Sequence, residues 1–384
     1  MPAIYGYLDP GAQTWMVLDE VRTSAFADAI RRVVRPGDVV LDIGSGSGVL
    51  ALLAARAGAS KVYAVERTGM AELISQHAVE NGFEGVVEVV RKDFLHLSPE
   101  DLASPPRVVV SEMLGHFAPD ENQHAIFQHA RRLAHRDAVF IPQRYRLVFA
   151  PAHARAFAAE MAHLQDVHGV KLGALADRMG QRVANAQLEV SDLLGPEVES
   201  PWSAVDAPLP SSFTVSLDVT SDGDVNLVAS SFIAELAPEV TLRTCVADAP
   251  THWRQTLFPI DPPLPCRAGD RLDFELRPRL ITDRGTWTWK LSRGDDVRIG
   301  DAMQSFVGDK HDLLLHLGVR FCRAPEKKAS PLLDAWAAAL GGRAEGDLDS
   351  LATRLLEAMP DAYPDIEAAR QAVVRLLRAA DALA

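Results

Sequence analysis

An α/β domain with a parallel sheet, then an antiparallel β domain, then a helical tail: three observations predict this order. Apolar runs of four or five residues alternate with amphipathic stretches between Val39 and Ile141, the sign of strands and helices taking turns. The first run leads into Asp42-Ile43-Gly44-Ser45-Gly46-Ser47-Gly48, a turn almost without side chains between a buried strand and a helix. After about Arg144 the pattern becomes short alternating segments with proline and glycine between them.

In chain order, Trp15, Met16, Val21, Phe26, Ile30 and Val33 recur at helical spacing and predict one helix over about 12–34, broken by Pro36-Gly37. Asp19 and Arg22 share a face of it; spacing alone makes such a pair a solvated surface ion pair. Strands are expected at 39–43, 61–65, 86–91, 107–111 and 138–141, with helices at 49–56, 68–81 and 121–133. In such sheets ligands sit beyond the carboxyl ends of the strands. Glu66 follows the second strand, where a carboxylate can accept both hydroxyls of a ribose. Asp93-Phe94 follows the third, where such folds hold an adenine, and Glu112 ends the fourth, at the edge of the site by topology alone.

Beyond Pro142 the alanine-rich stretch 152–185 is expected to form a projecting helical pair. Strands are expected at 213–219, 226–236, 241–246, 271–276 and 286–291, a sandwich or barrel. Asp261-Pro262-Pro263-Leu264 reads as a proline loop within it. From about Ala324, Leu332, Trp336, Leu340, Leu351, Leu355, Val373 and Leu376 outline three short amphipathic helices, a capping or partner-binding module. The expected divisions are 1–37, a helical segment over the ligand site; 38–143, the parallel-sheet domain; 144–323, the β domain with its helical arm at about 152–187; and 324–384, the appendage.

Composition excludes several classes. A chain 48% hydrophobic and 24% charged is ordinary globular material. No apolar run approaches the roughly 20 residues needed to cross a bilayer, so no membrane partner is expected. The first residues lack a basic segment followed by an apolar one, so no signal peptide is expected. Cys245, Cys266 and Cys322 are too few and scattered for a disulfide framework or zinc cluster, which suits the cytoplasm. His124, His129 and His135, like His163 and His168, lack metal-ligand spacing, and no metal is expected. A formal net charge of −13 argues against a nucleic-acid partner and favours cationic ligands.

The glycine spacing narrows the ligand. A dinucleotide fingerprint wants its third glycine at the sixth place, here Val49. Glycines at 44, 46 and 48 after Asp42 instead resemble the first motif of class I S-adenosylmethionine methyltransferases. An uncharged turn suits a ligand without phosphate, and Asp42 suits a cation.

The second informative loop is Ser111-Glu112-Met113-Leu114-Gly115-His116-Phe117-Ala118-Pro119-Asp120-Glu121, with Gly115 and Pro119 permitting a reversal. Two carboxylates about 4 Å apart repel by about 4 kcal/mol at an effective dielectric near 20, so a converging pair implies a shared cation. A planar guanidinium matches two carboxylates; an ammonium is a point charge. On spacing alone, two glutamates flanking a solvated loop are the better reading. The loop resembles, however, the double-glutamate hairpin of the protein arginine methyltransferase family. Three further segments resemble that family's motifs in order: Asp19-Glu20-Val21-Arg22-Thr23, then 42–48 with Ala54-Ala55-Arg56-Ala57-Gly58-Ala59, then Thr251-His252-Trp253-Arg254-Gln255-Thr256-Leu257-Phe258. The similarity spans roughly 7–323.

The resemblance implies a Rossmann-like class I methyltransferase domain, an antiparallel β-barrel and S-adenosyl-L-methionine as cofactor. It implies that Arg22 binds the cofactor carboxylate, and that Asp42, Gly44, Ser45, Gly46, Gly48, Glu66, Asp93 and Glu112 bind the rest. Glu112 and Glu121 would orient a substrate guanidino group, walled by Met16, Met113 and Trp253. His252 would pair with Asp19, close the site and relay a proton. The arm, about 165–185, would build a ring-shaped homodimer. Several residues depart from the family pattern: Tyr7 matches one of two tyrosines but Ala3 falls at the other. Gln13 replaces a histidine, Met113 a tryptophan, His116 a tyrosine and Gln123 a methionine. Met16 matches members that make asymmetric dimethylarginine. Arginine in a protein or peptide is the expected acceptor; a small guanidino metabolite such as free arginine, or a cofactor-binding scaffold without turnover, are the alternatives.

Overall fold

The computed structural model describes residues 10–305 apart from 280 and 283. Tyr7, Cys322 and the tail expected at 324–384 lie outside the described residues.

The segment read as one helix is two. Asp19 has extended backbone (φ −68°, ψ 94°) and ends α1 (Pro10–Leu18), while its side chain accepts the Arg22 backbone N–H as the N-cap of α2 (Glu20–Val33). The apolar period runs through the break, so periodicity could not reveal it. Phe26, Ala29 and Ile30 bury the inner face of α2.

Strand and helix then alternate: β1 (Val39–Ile43), α3 (Val49–Arg56), β2 (Lys61–Val65), α4 (Ala71–Glu80), β3 (Val87–Val90), β4 (Val108–Ser111), α5 (Gln123–Leu133) and β5 (Val139–Ile141). The five strands are parallel in the order β3-β2-β1-β4-β5. Order reverses between β1 and β4, so a crevice opens at their carboxyl ends, beside Asp42 and Ser111. The helix expected from 121 starts two residues later, after a tight 3-10 turn at Pro119–Glu121 and an Asn122 in the left-handed region (φ 61°).

The second half is all antiparallel. β6 (Arg144–Ala152) leads into α6 (Arg155–Gln165) and α7 (Gly173–Met179), the expected helical pair, and the chain returns through β7 (Ala184–Ala186), β8 (Val198–Glu199) and β9 (Ser203–Ala204). There follow β10 (Phe213–Asp218), β11 (Gly223–Ala237), β12 (Val240–Arg243), β13 (Gln255–Cys266), β14 (Arg271–Pro278), β15 (Trp287–Arg293) and β16 (Asp296–Asp301). One sheet runs β10-β14-β15-β16 and the other β7-β13-β11-β6-β8. β6 packs on β10 and β13 on β16, so the sheets close barrel-like around Phe149, Phe258, Phe274, Trp287 and Trp289.

The proline loop at 261–264 is corrected: it lies within β13, paired with β11 across a register shift between Val225 and Leu227. Asp261-Pro262 is cis there. Prolines remove ladder donors, which is why the sequence reads as loop, but a shifted register spares the partner strand the missing bonds.

Candidate active site

The glycine turn sits at the carboxyl end of β1. Gly44, Gly46 and Gly48 take φ of 69°, 52° and 83°, a region where a Cβ is strained. Side chains also crowd the turn: a Cβ on Gly46 would lie 2.6 Å from Gln13 Oε1, and one on Gly44 2.9 Å from Met113 Sδ, so Gln13 or Met113 would have to shift. Gln13 and Met113, two of the departures from the family pattern, therefore roof this turn. The Glu66 carboxylate faces it from β2, accepting Gly46 N–H at 3.0 Å and Thr68 N–H at 2.7 Å. Asp42, 1% exposed, holds one oxygen without any partner. Burial pushes its pKa up to about 7, against hydrogen bonds from Ser45 and the Ala51 backbone. A bare turn, a carboxylate at the second strand and an orphaned buried oxygen fit a small cationic cofactor with vicinal hydroxyls. Asp93, at the third strand, accepts the Leu95 N–H and pairs with Arg67 at 3.0 Å.

Opposite, β4 delivers Glu112. Its Oε2 takes Arg22 Nε at 2.9 Å and a terminal Arg22 nitrogen at 2.7 Å, both side chains nearly buried, while Arg22 also donates to the Met16 carbonyl at 3.1 Å. Reciprocal hydrogen bonds between Gly115 and Ala118 (3.0 and 2.9 Å) then reverse the chain. Ala118 adopts φ 55°, ψ −75°, strained for an alanine, and Gly115 has no room for a Cβ, with Asp120 Oδ1 1.9 Å from where it would sit and Glu121 Cγ at 3.1 Å. The reversal predicted from Gly115 and Pro119 is present, and it folds Glu121 back against Gly115.

What holds this hairpin comes from the barrel. Phe117 inserts among Phe149, Phe213, Phe258 and Trp287, with ring centroids 5.0–6.3 Å away. The Trp253 indole donates to the Leu114 carbonyl at 2.7 Å, so this residue is buried beneath the hairpin. Thr256 Oγ1 donates to the His116 carbonyl at 3.1 Å, and the His116 ring donates through Nδ1 to the Trp253 carbonyl. Burial, then the nearby Arg284 guanidinium, pushes His116 below the usual histidine range, against the bond to Trp253.

A third contact closes the site from the N-terminal side. Asp19 Oδ2 accepts His252 Nδ1 at 2.7 Å and the His252 N–H at 2.8 Å. Desolvation raises the Asp19 pKa, but the hydrogen bonds from His252 and the Arg22 N–H outweigh it and hold the carboxyl below its ordinary range. With Nδ1–H committed to Asp19, a neutral His252 keeps Nε2 as an acceptor. The sequence reading brought Asp19, Arg22, Glu112 and His252 forward, and they lie in one connected cluster. It assigned no part to Phe117, Asp120, Thr256 or Arg284, whose roles depend on contacts between the hairpin and the barrel; only an aromatic inside a polar loop signalled Phe117.

Comparison with known proteins places the chain as a whole. Residues 40–137 match the family model of a methyltransferase domain. The chain is 30% identical over 273 residues to an arginine N(omega)-methyltransferase of Streptomyces achromogenes subsp. streptozoticus, spanning 68% of this chain and 74% of that protein. It is 28% identical over 303 residues to the protein arginine N-methyltransferase PRMT10 of Oryza sativa subsp. japonica, spanning 68% and 78%. The fold resembles that of the Trypanosoma brucei PRMT1 enzyme–prozyme heterotetrameric complex with AdoHcy, with TM-score 0.68 and 22% identity over 77% of this chain and 99% of that one.

Proposed function

The chain belongs to the protein arginine N-methyltransferase family and is an S-adenosyl-L-methionine-dependent arginine methyltransferase; from that premise we propose that it methylates arginine in a protein or peptide, gripped by Glu112 and Glu121. The observation that carries the reading is the strained reversal between Gly115 and Ala118, which folds Glu121 back against Gly115, a short step along the chain from a Glu112 already paired with the buried Arg22.

In this reading the turn at Gly44, Ser45, Gly46 and Gly48 holds the cofactor. Glu66 takes the ribose hydroxyls, Asp42 answers its positive charge and Asp93 lies at its adenine end. Arg22 has five N–H groups and spends three on Glu112 and Met16, leaving two for the cofactor carboxylate. When bound, S-adenosyl-L-methionine supplies a methyl group activated by a sulfonium. Glu112 and Glu121 localise the guanidinium charge on the nitrogens they grip and free lone-pair density on the third. As that nitrogen acidifies, Nε2 of His252, its ring oriented by Asp19, would accept the proton. Met16, Met113 and the buried Trp253 shape the walls.

A second reading, a small guanidino acceptor such as free arginine, has its own support. The Streptomyces relative is named for arginine rather than protein arginine, and Gln13, Met113, His116 and Gln123 change the pocket walls. The test uses labelled cofactor with either a Gly-Arg-rich peptide or free arginine, and identification of the methylated product. Label in the peptide is expected; label confined to the free amino acid would overturn the peptide reading. In the same assay Glu121→Gln should lower kcat by about 10²–10³-fold, as loss of one oriented charge does, with cofactor Kd nearly unchanged. A parallel loss of cofactor binding would show that Glu121 serves the cofactor instead.

The helical pair supports homodimerisation. α6 has no buried residue, and Val170 and Leu175 of the arm are exposed, as are Trp15 and Leu18 of α1, apolar surface that a second copy would cover. Cys245 and Cys266 are free and buried, which agrees with the cytoplasm, and no described helix is long and apolar enough to cross a membrane.

A further inference from the structure

Asp120, the residue before Glu121, is nearly buried and has two tasks. Its Oδ1 accepts the Phe117 N–H at 3.1 Å and fills the space that a side chain on Gly115 would need. Its Oδ2 lies 3.5 Å from Nε of Arg284, which stands in the 3-10 turn leading into β15. The far side of the same guanidinium donates to Oδ1 of Asn185 on β7, six residues after the arm's second helix. Asn185 in turn donates to Thr256 Oγ1 at 3.1 Å, and Thr256 donates to the His116 carbonyl. The chain of bonds leaves the hairpin at Asp120 and returns to it at His116: the Asp120 limb is tied to the barrel through Arg284, and Asn185 links that cation to Thr256, which holds the His116 limb.

We propose that Arg284 is a positioning residue for substrate: by holding Asp120 against the barrel it sets the backbone of Glu121, and through Asn185 it links the base of the arm to that carboxylate. The proposal rests on the reading of 112–121 as the guanidino-binding hairpin. An arginine suits the place because its fork reaches a carboxylate and a carboxamide at once, which a lysine point charge does less well. Arg284 touches neither reacting group, so its removal acts through Glu121. Its side chain is about 29% exposed, and solvent screening moderates what the ion pair contributes.

The test uses the full-length chain with Arg284→Ala, Arg284→Lys, Asp120→Asn and the Arg284→Ala/Asp120→Asn double variant. Measured for each are kcat, KM for an arginine peptide or free arginine, whichever is the acceptor, and cofactor Kd. Arg284→Ala is expected to raise the acceptor KM about tenfold, because small misplacements of a gripping group are costly, with cofactor Kd within about twofold. Arg284→Lys should recover part of that loss. Asp120→Asn is isosteric and keeps the bond to Phe117, so it tests the ion pair without opening the hairpin. It should match Arg284→Ala, and the double variant should be no worse than either, since paired residues are not additive. An unchanged acceptor KM, a proportional loss of cofactor affinity, or effects that multiply would overturn the proposal. Glu121→Gln runs alongside: if it is inactive while Arg284→Ala behaves as parent, Arg284 has no such part and the guanidino reading stands. If Glu121→Gln turns over normally, the guanidino reading itself fails.

Discussion

The two halves of the site are built in opposite ways. The cofactor half is a contiguous turn, residues 42–48, at the end of one strand, answered by Glu66 on the neighbouring strand twenty positions from Gly46. Its shape follows from backbone freedom at three glycines. The substrate half is a loop whose own residues leave it strained at Ala118, and it holds its form because Phe117, Leu114, His116 and Asp120 are each gripped from the barrel. Cofactor binding should therefore survive damage to the barrel, whereas acceptor binding should not.

The largest effect that would break this contrast is at Phe117. Its ring is fully buried among four aromatics of the barrel, and Phe117→Ala should cost about 3–5 kcal/mol of stability, read by denaturant unfolding. Under conditions where the variant stays folded, acceptor KM should rise while cofactor Kd holds. Equal losses would mean that the halves are not separable. Gly46→Ala probes the converse: a left-handed φ costs roughly 1–2 kcal/mol for an alanine, and the new Cβ meets Gln13. Cofactor affinity should drop about tenfold or more in titration calorimetry, with the unfolding of the barrel unmoved.

The smallest effect sharpens the comparison through pH. Asp42 is raised from 3.8 to about 7 by burial, so the ligand-free fold favours its protonated form. Its contribution to stability is fully present below pH 3.8 and is lost as the pH rises through about 7. A cationic cofactor favours the carboxylate. Affinity should thus increase from about pH 6 to about 7, by at most about tenfold, with proton release on binding. Asp42→Asn should flatten that profile. A profile unchanged in Asp42→Asn would show that the orphaned oxygen does not face the ligand's charge.

Local signals accounted for much of this. The parallel sheet, the glycine turn and Glu66 were legible because strand, turn and strand tip are each defined by a few consecutive residues. The two-helix entry was not: spacing alone makes Asp19 a surface partner of Arg22, and only the family resemblance pairs it with His252. The structure shows it as an N-cap whose other oxygen reaches His252, 233 positions away. β13 was hidden for a related reason, since Pro262 and Pro263 offer no ladder donor, and both fall in the stretch that the shifted register leaves unpaired.

The sequence by itself determined the kind of ligand turn, the strand that carries Glu112 and the acidic character of the loop, because those depend on backbone freedom and burial along short stretches. Tertiary structure alone decided that Arg22 lies on Glu112 and that Arg284 lies against Asp120, and it formed the His252–Asp19 pair that only the family resemblance implied. Charged side chains pair only once their desolvation is offset by geometry. That geometry comes from packing a barrel against a sheet, which no local pattern encodes.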